Sequence, residues 1–134
     1  MELNLNNSYK SQLYIKLLNE NLSLNDYVKK LIINDLNKYF ILGEGYFYDL
    51  NKDKLYNDEY REIKLTPIER NILLYMINNN QKILNTNELH ENCWPNNVSY
   101  SIFSIRNIIK RIRDKTHYGI IINHSKIGYS IFKK

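Results

Sequence analysis

The residues best suited to chemistry in this chain are cations, and they are unevenly placed. Residues 98–134 hold eight basic groups and one acid, net +7, while residues 1–37 are balanced at zero and residues 38–97 carry net −2. A focused patch of one sign draws a polyanion and speeds encounter with it, whereas a scattered one only keeps a surface solvated. Arg106, Lys110, Arg111 and Arg113 fall within one helical stretch, and Lys126 falls at a predicted hairpin turn. Such groups suit phosphate oxygens. Ser99, Tyr100, Ser101 and Asn107 lie on the same stretch and offer the donors and acceptors that reach base edges. His124 and Ser125, in the predicted hairpin, are further candidates for phosphate contact.

Other chemistries find little material. A single cysteine, Cys93, and three scattered histidines (His90, His117, His124) give no zinc spacing and no disulfide, so neither a metal nor a cofactor is expected. Four glycines form no phosphate-cradling loop. Asp49, Asp53 and Asp58 lie in turn-rich sequence and read as turn-shaping acids; Cys93, beside Trp94, reads as a buried structural thiol. No catalytic residues are expected, and the chain is not read as an enzyme. Of twelve tyrosines, Tyr39, Tyr46, Tyr48, Tyr56 and Tyr60 read as cross-strand packing. At 134 residues and 43% hydrophobic content the chain allows one ordinary domain, or one domain with a small accessory module. It has no membrane-length apolar run and no secretory start, so it is expected in the cytoplasm without a membrane partner. Its 21 Asn and 19 Ile, with no Ala, look like AT-rich coding, which lowers the weight of Asn-rich stretches.

The elements that must position the cations can be read in order. Turn signals at Gly43-Glu44-Gly45, Asn51-Lys52-Asp53 and Asn57-Asp58 divide Tyr39–Lys64 into short alternating runs, which predicts a small antiparallel sheet. Thr66-Pro67-Ile68-Glu69 is a capping box that opens a helix with Ile72, Leu73, Met76 and Ile77 on one face. Asn85-Thr86-Asn87-Glu88 opens a shorter helix the same way. A third helix is predicted from about Ser99 to Asp114, buried through Ile102, Ile105, Ile108 and Ile112. Ile120–Ile122, a turn at Ser125-Lys126 and Ile127–Phe132 predict a closing hairpin. Three helices followed by a hairpin, the third helix being basic, make a winged helix-turn-helix.

Leu65-Thr66-Pro67, Glu69, Ile83-Leu84-Asn85, Glu88-Leu89, Trp94 and the closing Ile127-Gly128-Tyr129 resemble the effector domain of OmpR/PhoB-type response regulators. The resemblance covers about residues 39–132, including the leading sheet. It implies sequence-specific binding of duplex DNA by the helix from about Ser99 to Asp114, with the Asn123–Gly128 hairpin as wing. It also implies RNA polymerase as a further partner, through the loop after Trp94, which is shorter here than in the family. Asn107 and Ile109 stand where the family usually has Arg, and Ser125-Lys126 where it has Arg-Gly. No phosphoacceptor receiver precedes the sheet, so control by phosphorylation is not expected of this chain.

Residues 1–37 form a separate segment. Residues 2–6 alternate as a short strand would, a helix follows over about 8–20, Asn21 suits a left-handed terminator, and Ser23 caps a second helix through Leu36. This order resembles a ribbon-helix-helix module of the CopG/Arc kind, which implies a homodimer through residues 1–37, with Glu2, Asn4 and Asn6 as strand positions that could read bases. A degenerate receiver remnant is the competing reading. The expected fold is therefore α+β: a strand-helix-helix dimerisation module over 1–37, then a winged helix with a leading antiparallel sheet over 38–134. The expected function is a dimeric regulator of transcription that binds specific duplex DNA. The alternative is a protein-interaction module on a winged helix that has lost specific DNA binding, motivated by Asn107 and Ile109.

Overall fold

The computed structural model describes residues 4–94 and 102–132. The chain divides into two compact units, Met1–Lys38 and Tyr39–Lys134.

The first unit is a pair of helices, α1 (Asn7–Glu20) and α2 (Leu24–Leu36). Their ends are set by short polar side chains. Asn6 caps α1 by accepting from the Tyr9 N–H at 2.9 Å, and Ser23 caps α2 by accepting from the Asp26 N–H at 3.1 Å. Asn21 ends α1 in the left-handed conformation (φ 52°), and the Leu22 N–H returns to the Leu17 carbonyl at 3.1 Å, the hydrogen bond of a Schellman terminator. Glu20 accepts from Lys16 at 2.8 Å and from Lys30 at 3.2 Å, tying the two helices together. The strand expected over residues 2–6 is not found at Asn4–Asn6. Asn6 is instead committed to the helix cap, because its side-chain oxygen satisfies an N–H that the first turn leaves unpaired. Glu2 lies outside the described residues. No residue of α1 or α2 is buried.

The second unit opens with a four-stranded antiparallel sheet in chain order: β1 (Tyr39–Gly43), β2 (Tyr46–Asp49), β3 (Lys54–Tyr56) and β4 (Glu62–Ile63). Glu44 and Gly45 both take positive φ (54° and 82°), the backbone that a tight two-residue hairpin requires. Asp49 shapes the next turn, accepting from the Asn51 and Lys52 N–H groups at 3.0 Å each. One sheet face, with Phe40, Leu42, Tyr48 and Leu55, enters the core. The other carries a cross-strand aromatic row: Tyr39 edge-on to Phe47, Phe47 stacked on Tyr56, and Tyr56 stacked on Tyr60 at 4.6 Å. Tyr39, Tyr56 and Tyr60 thus pack in this row as expected, whereas Tyr48 enters the core and Tyr46 donates its hydroxyl to the Thr116 carbonyl at 3.3 Å.

Three helices follow, α3 (Pro67–Asn78), α4 (Thr86–Cys93) and α5 (Ile102–Lys115). The Thr66–Glu69 capping box forms as its spacing predicts. Ile72, Leu73 and Met76 of α3, Leu89 of α4 and Ile105, Ile109 and Ile112 of α5 meet in one core. The hairpin is shorter than expected: β5 (Ile122–His124) pairs with β6 (Gly128–Ser130), and Ile120 belongs to a 3₁₀ turn, Tyr118–Ile120. Ile120 and its neighbour Ile121 are both buried, which a strand with one solvated face does not permit.

The hairpin is fastened to the loop before α4. Leu84 and Tyr129 exchange backbone hydrogen bonds of 2.7 and 2.8 Å. Gly128 makes this approach feasible, since a Cβ there would lie 2.1 Å from the Leu84 carbonyl oxygen.

Candidate nucleic-acid interface

The third helix of the winged unit sorts its residues by burial. Ile105, Ile108, Ile109 and Ile112 recur at i, i+3, i+4 and i+7 and are all buried. Ile109 is 1% exposed, so it is a core residue and not a lost surface cation. Its place in the apolar stripe decides this. Arg106, Asn107, Lys110 and Arg111 are exposed. At about 100° per residue, Asn107 and Lys110 each project roughly 150° from the centre of the buried stripe, and Arg106 and Arg111 flank them at roughly 110° on either side. The exposed arc therefore has a polar ridge between two guanidinium groups.

Two cations of this helix have other employment. Arg113 is half-buried; its guanidinium donates to the Ile121 carbonyl and lies over the Tyr118 ring at 4.2 Å. It joins the helix to the segment that leads into the hairpin, so part of its hydrogen-bonding capacity is spent within the protein. Lys115 donates to the Glu69 carboxylate at 2.5 Å and to the Lys64 carbonyl at 3.0 Å. Burial works to raise the Glu69 pKa, but hydrogen bonds from Lys115 and Thr66 outweigh it and hold the carboxyl below its ordinary range. Lys115 is thus an anchor between the end of α5 and the start of α3. Nothing in its spacing marks it, because its partners lie some fifty residues upstream. Lys110 is paired with Asp114 at 2.8 Å across one helical turn, in the open, where such a pair contributes little to stability.

The hairpin supplies the other wall. Arg106, Thr86, Asn123, His124 and Lys126 line one depression, and Arg106, Asn123, Ser125 and Lys126 line a second, of about 520 Å³, that extends to Arg113. Arg106 and Lys126 therefore face the same cleft from two elements. Asn123 and Thr86 join them there. Thr86 opens α4, where the helix dipole favours an anion, a clue that the Asn85 cap already carried. Ser125 and Lys126 are exposed, and Lys126 takes φ 63° at the hairpin turn. His124 is half-buried; its Nε2 lies 2.7 Å from the Ser130 hydroxyl and its ring is edge-on to Phe132, so it braces the hairpin. Ser99, Tyr100 and Ser101 lie outside the described residues, as do residues 95–98, where a polymerase contact is expected.

Cys93, Trp94 and Asp53 are held in contacts within the fold. Cys93 is buried, its thiol donates to the Asn71 carbonyl at 3.6 Å, and burial pushes its pKa up to about 11. Trp94 packs half-buried against the core beside His90. Asp53 accepts from the Tyr48 hydroxyl. Among the described residues no cluster of His, Cys, Asp or Glu could hold a metal ion, and no helix is long and apolar enough to cross a membrane.

The fold of the second unit has known counterparts. The chain is similar in structure to the DNA-binding domain of AdeR, solved in complex with an intercistronic region (21% identity, 68% of this chain and 97% of that one, TM-score 0.55). It is also similar to the DNA-binding domain of Bacillus subtilis CssR (16% identity, 69% and 99%, TM-score 0.56). A third similar structure is DrrB, an OmpR/PhoB homologue of Thermotoga maritima (22% identity, 78% and 49%, TM-score 0.61), of whose length this chain spans about half. No curated protein matches the sequence. The family model described as "Transcriptional regulatory protein, C terminal" matches residues 60–131, more than half of the chain. The chain belongs to that family, and its second unit is a winged helix of the OmpR/PhoB type.

Proposed function

We propose that this protein is a transcription regulator that binds specific sequences of duplex DNA and acts as a dimer. A helix matches the width of the major groove, so α5 lies there with Arg106 and Arg111 toward opposite backbones. The β5–β6 wing lays Lys126 against the neighbouring minor groove. The observation that carries this reading is the convergence of Arg106 and Lys126 on one cleft from separate elements. Exposed Ser125 and Lys110 add polar and cationic groups on the same side, and Ser99, Tyr100 and Ser101, which precede α5 in sequence, remain candidate base contacts. Occupying a promoter, such a protein recruits or occludes RNA polymerase. The competing reading, a winged helix without DNA binding, loses half its motivation because Ile109 belongs to the core.

Dimerisation through residues 1–37 is supported by the state of α1 and α2. Tyr14, Ile15, Leu18, Leu31, Ile32 and Leu36 are exposed, and none of either helix is buried. A two-helix unit of this size cannot bury a core by itself. Its zero net charge puts no repulsion between two copies.

The test is binding to a labelled duplex at several salt concentrations. Arg106→Ala combined with Lys126→Ala should reduce affinity and flatten the dependence of log K on log salt by about 1.8, for two phosphate contacts. An unchanged slope rejects the assigned surface. Sedimentation of the full chain tests the dimer: self-association should weaken in Leu18→Glu with Leu31→Glu, and a monomer at every concentration favours the receiver remnant.

A further inference from the structure

We infer that Asn107 is a specificity-determining residue and that it reads an adenine, so that each half-site is built around an A·T pair. This rests on the duplex-DNA reading above and goes further by naming the base. The geometry singles out one side chain. Among the residues of α5 whose side chains are described, Asn107 and Lys110 project furthest from the buried stripe before the helix reaches Asp114, and Lys110 is paired with Asp114 at 2.8 Å. Asn107 is exposed and makes no side-chain hydrogen bond to another described residue. It also sits in the second turn of α5 (Ile102–Lys115), in the amino-terminal half that a recognition helix turns toward base edges.

The chemistry then selects the base. A carboxamide presents one acceptor and one donor side by side, Oδ1 and Nδ2–H₂. In the major groove, adenine offers the matching pair on one edge, the N6 amino group as donor and N7 as acceptor. Guanine offers two acceptors there, O6 and N7, and would leave Oδ1 facing an acceptor. Arg106 and Arg111, on either flank of Asn107, supply the backbone contacts that hold the helix in register, so that the amide meets a base edge rather than a phosphate. In that phosphate-contacting role the two guanidinium groups carry no sequence information, so the amide between them is the group that reads the base it faces.

The experiment is selection of bound sequences from a random duplex pool with the full chain, run in parallel for the unaltered protein, Asn107→Ala and Asn107→Arg. Asn107 is exposed, so neither substitution disturbs the core; the far-UV spectrum of each variant checks that. The unaltered protein should enrich one adenine position by about 5- to 150-fold over the other bases, the range for one good bidentate pair. Asn107→Ala should flatten that position alone and leave the rest of the motif and the salt dependence in place. Asn107→Arg should move the preference to guanine, whose O6 and N7 accept both guanidinium donors. A motif whose every position survives both substitutions overturns the inference while leaving the DNA reading intact. A pool that none of the three proteins enriches overturns the DNA reading itself, and this inference with it.

Discussion

Lys126 allows stability and function to be set against each other at one atom of backbone. It sits at the turn of the wing with φ 63°. For an L-residue the left-handed region costs about 1–2 kcal/mol, which glycine avoids. Glycine in turn loses about 0.5–1 kcal/mol through its greater freedom in the unfolded chain. Lys126→Gly should therefore stabilise the winged unit by about 0.5–1 kcal/mol, which raises the midpoint of thermal unfolding by roughly 2–8 °C for a unit of this size. The same change removes a cation from the wing. Binding to a specific duplex should weaken, and the salt slope should fall by about 0.9, one phosphate contact. Lys126→Gln separates the two effects, because it removes the charge and keeps the strained conformation: binding should fall as in Lys126→Gly, with no gain in melting temperature. Calorimetry and duplex binding on the three proteins make the measurement. If Lys126→Gly melts lower than the unaltered chain, the strain argument fails; if it binds with the same affinity and slope, Lys126 is not a DNA contact.

Gly128→Ala should be among the most damaging single changes in the wing, because its Cβ would collide with the Leu84 carbonyl and break the two hydrogen bonds between Leu84 and Tyr129. A loss of about 2–4 kcal/mol is expected in urea unfolding, and DNA affinity should fall with it. The lowered pKa of Glu69 makes part of the stability depend on pH. Its contribution is complete above the ordinary carboxyl range and is lost as pH falls from there through the native pKa. Unfolding midpoints between pH 6 and 3 should therefore decline less steeply in Glu69→Gln, which starts from a lower value at neutral pH. Cys93, with its thiol pushed up to about 11, should resist alkylation at pH 8 in the folded protein and react at the ordinary rate in denaturant.

Much of the architecture was legible from local signals. Ser23, the Thr66–Glu69 box and Asn85 each mark a helix start because a single short side chain satisfies a backbone group one turn away, Asn21 marks a helix end because asparagine tolerates the left-handed backbone, and all four form as the spacing predicts. The core face of α5 was legible too, though comparison with a family pattern drew Ile109 toward the surface while its spacing from Ile105 and Ile112 put it inside. The strand at residues 2–6 was less secure. Two alternating leucines are a thin signal, and Asn6 is as good a helix cap as it is a strand residue.

The sequence by itself determined where the positive charge accumulates and which stretches become helix or hairpin, since both depend on neighbours within a turn or two of chain. Only the tertiary structure decided what each cation is for. Arg113 meets Ile121 and Tyr118, Lys115 meets Glu69, and Arg106 and Lys126 share a cleft. Charge is carried by the residue, but its availability is set by whatever the folded chain brings within hydrogen-bond reach, and those partners come from elements distant in sequence.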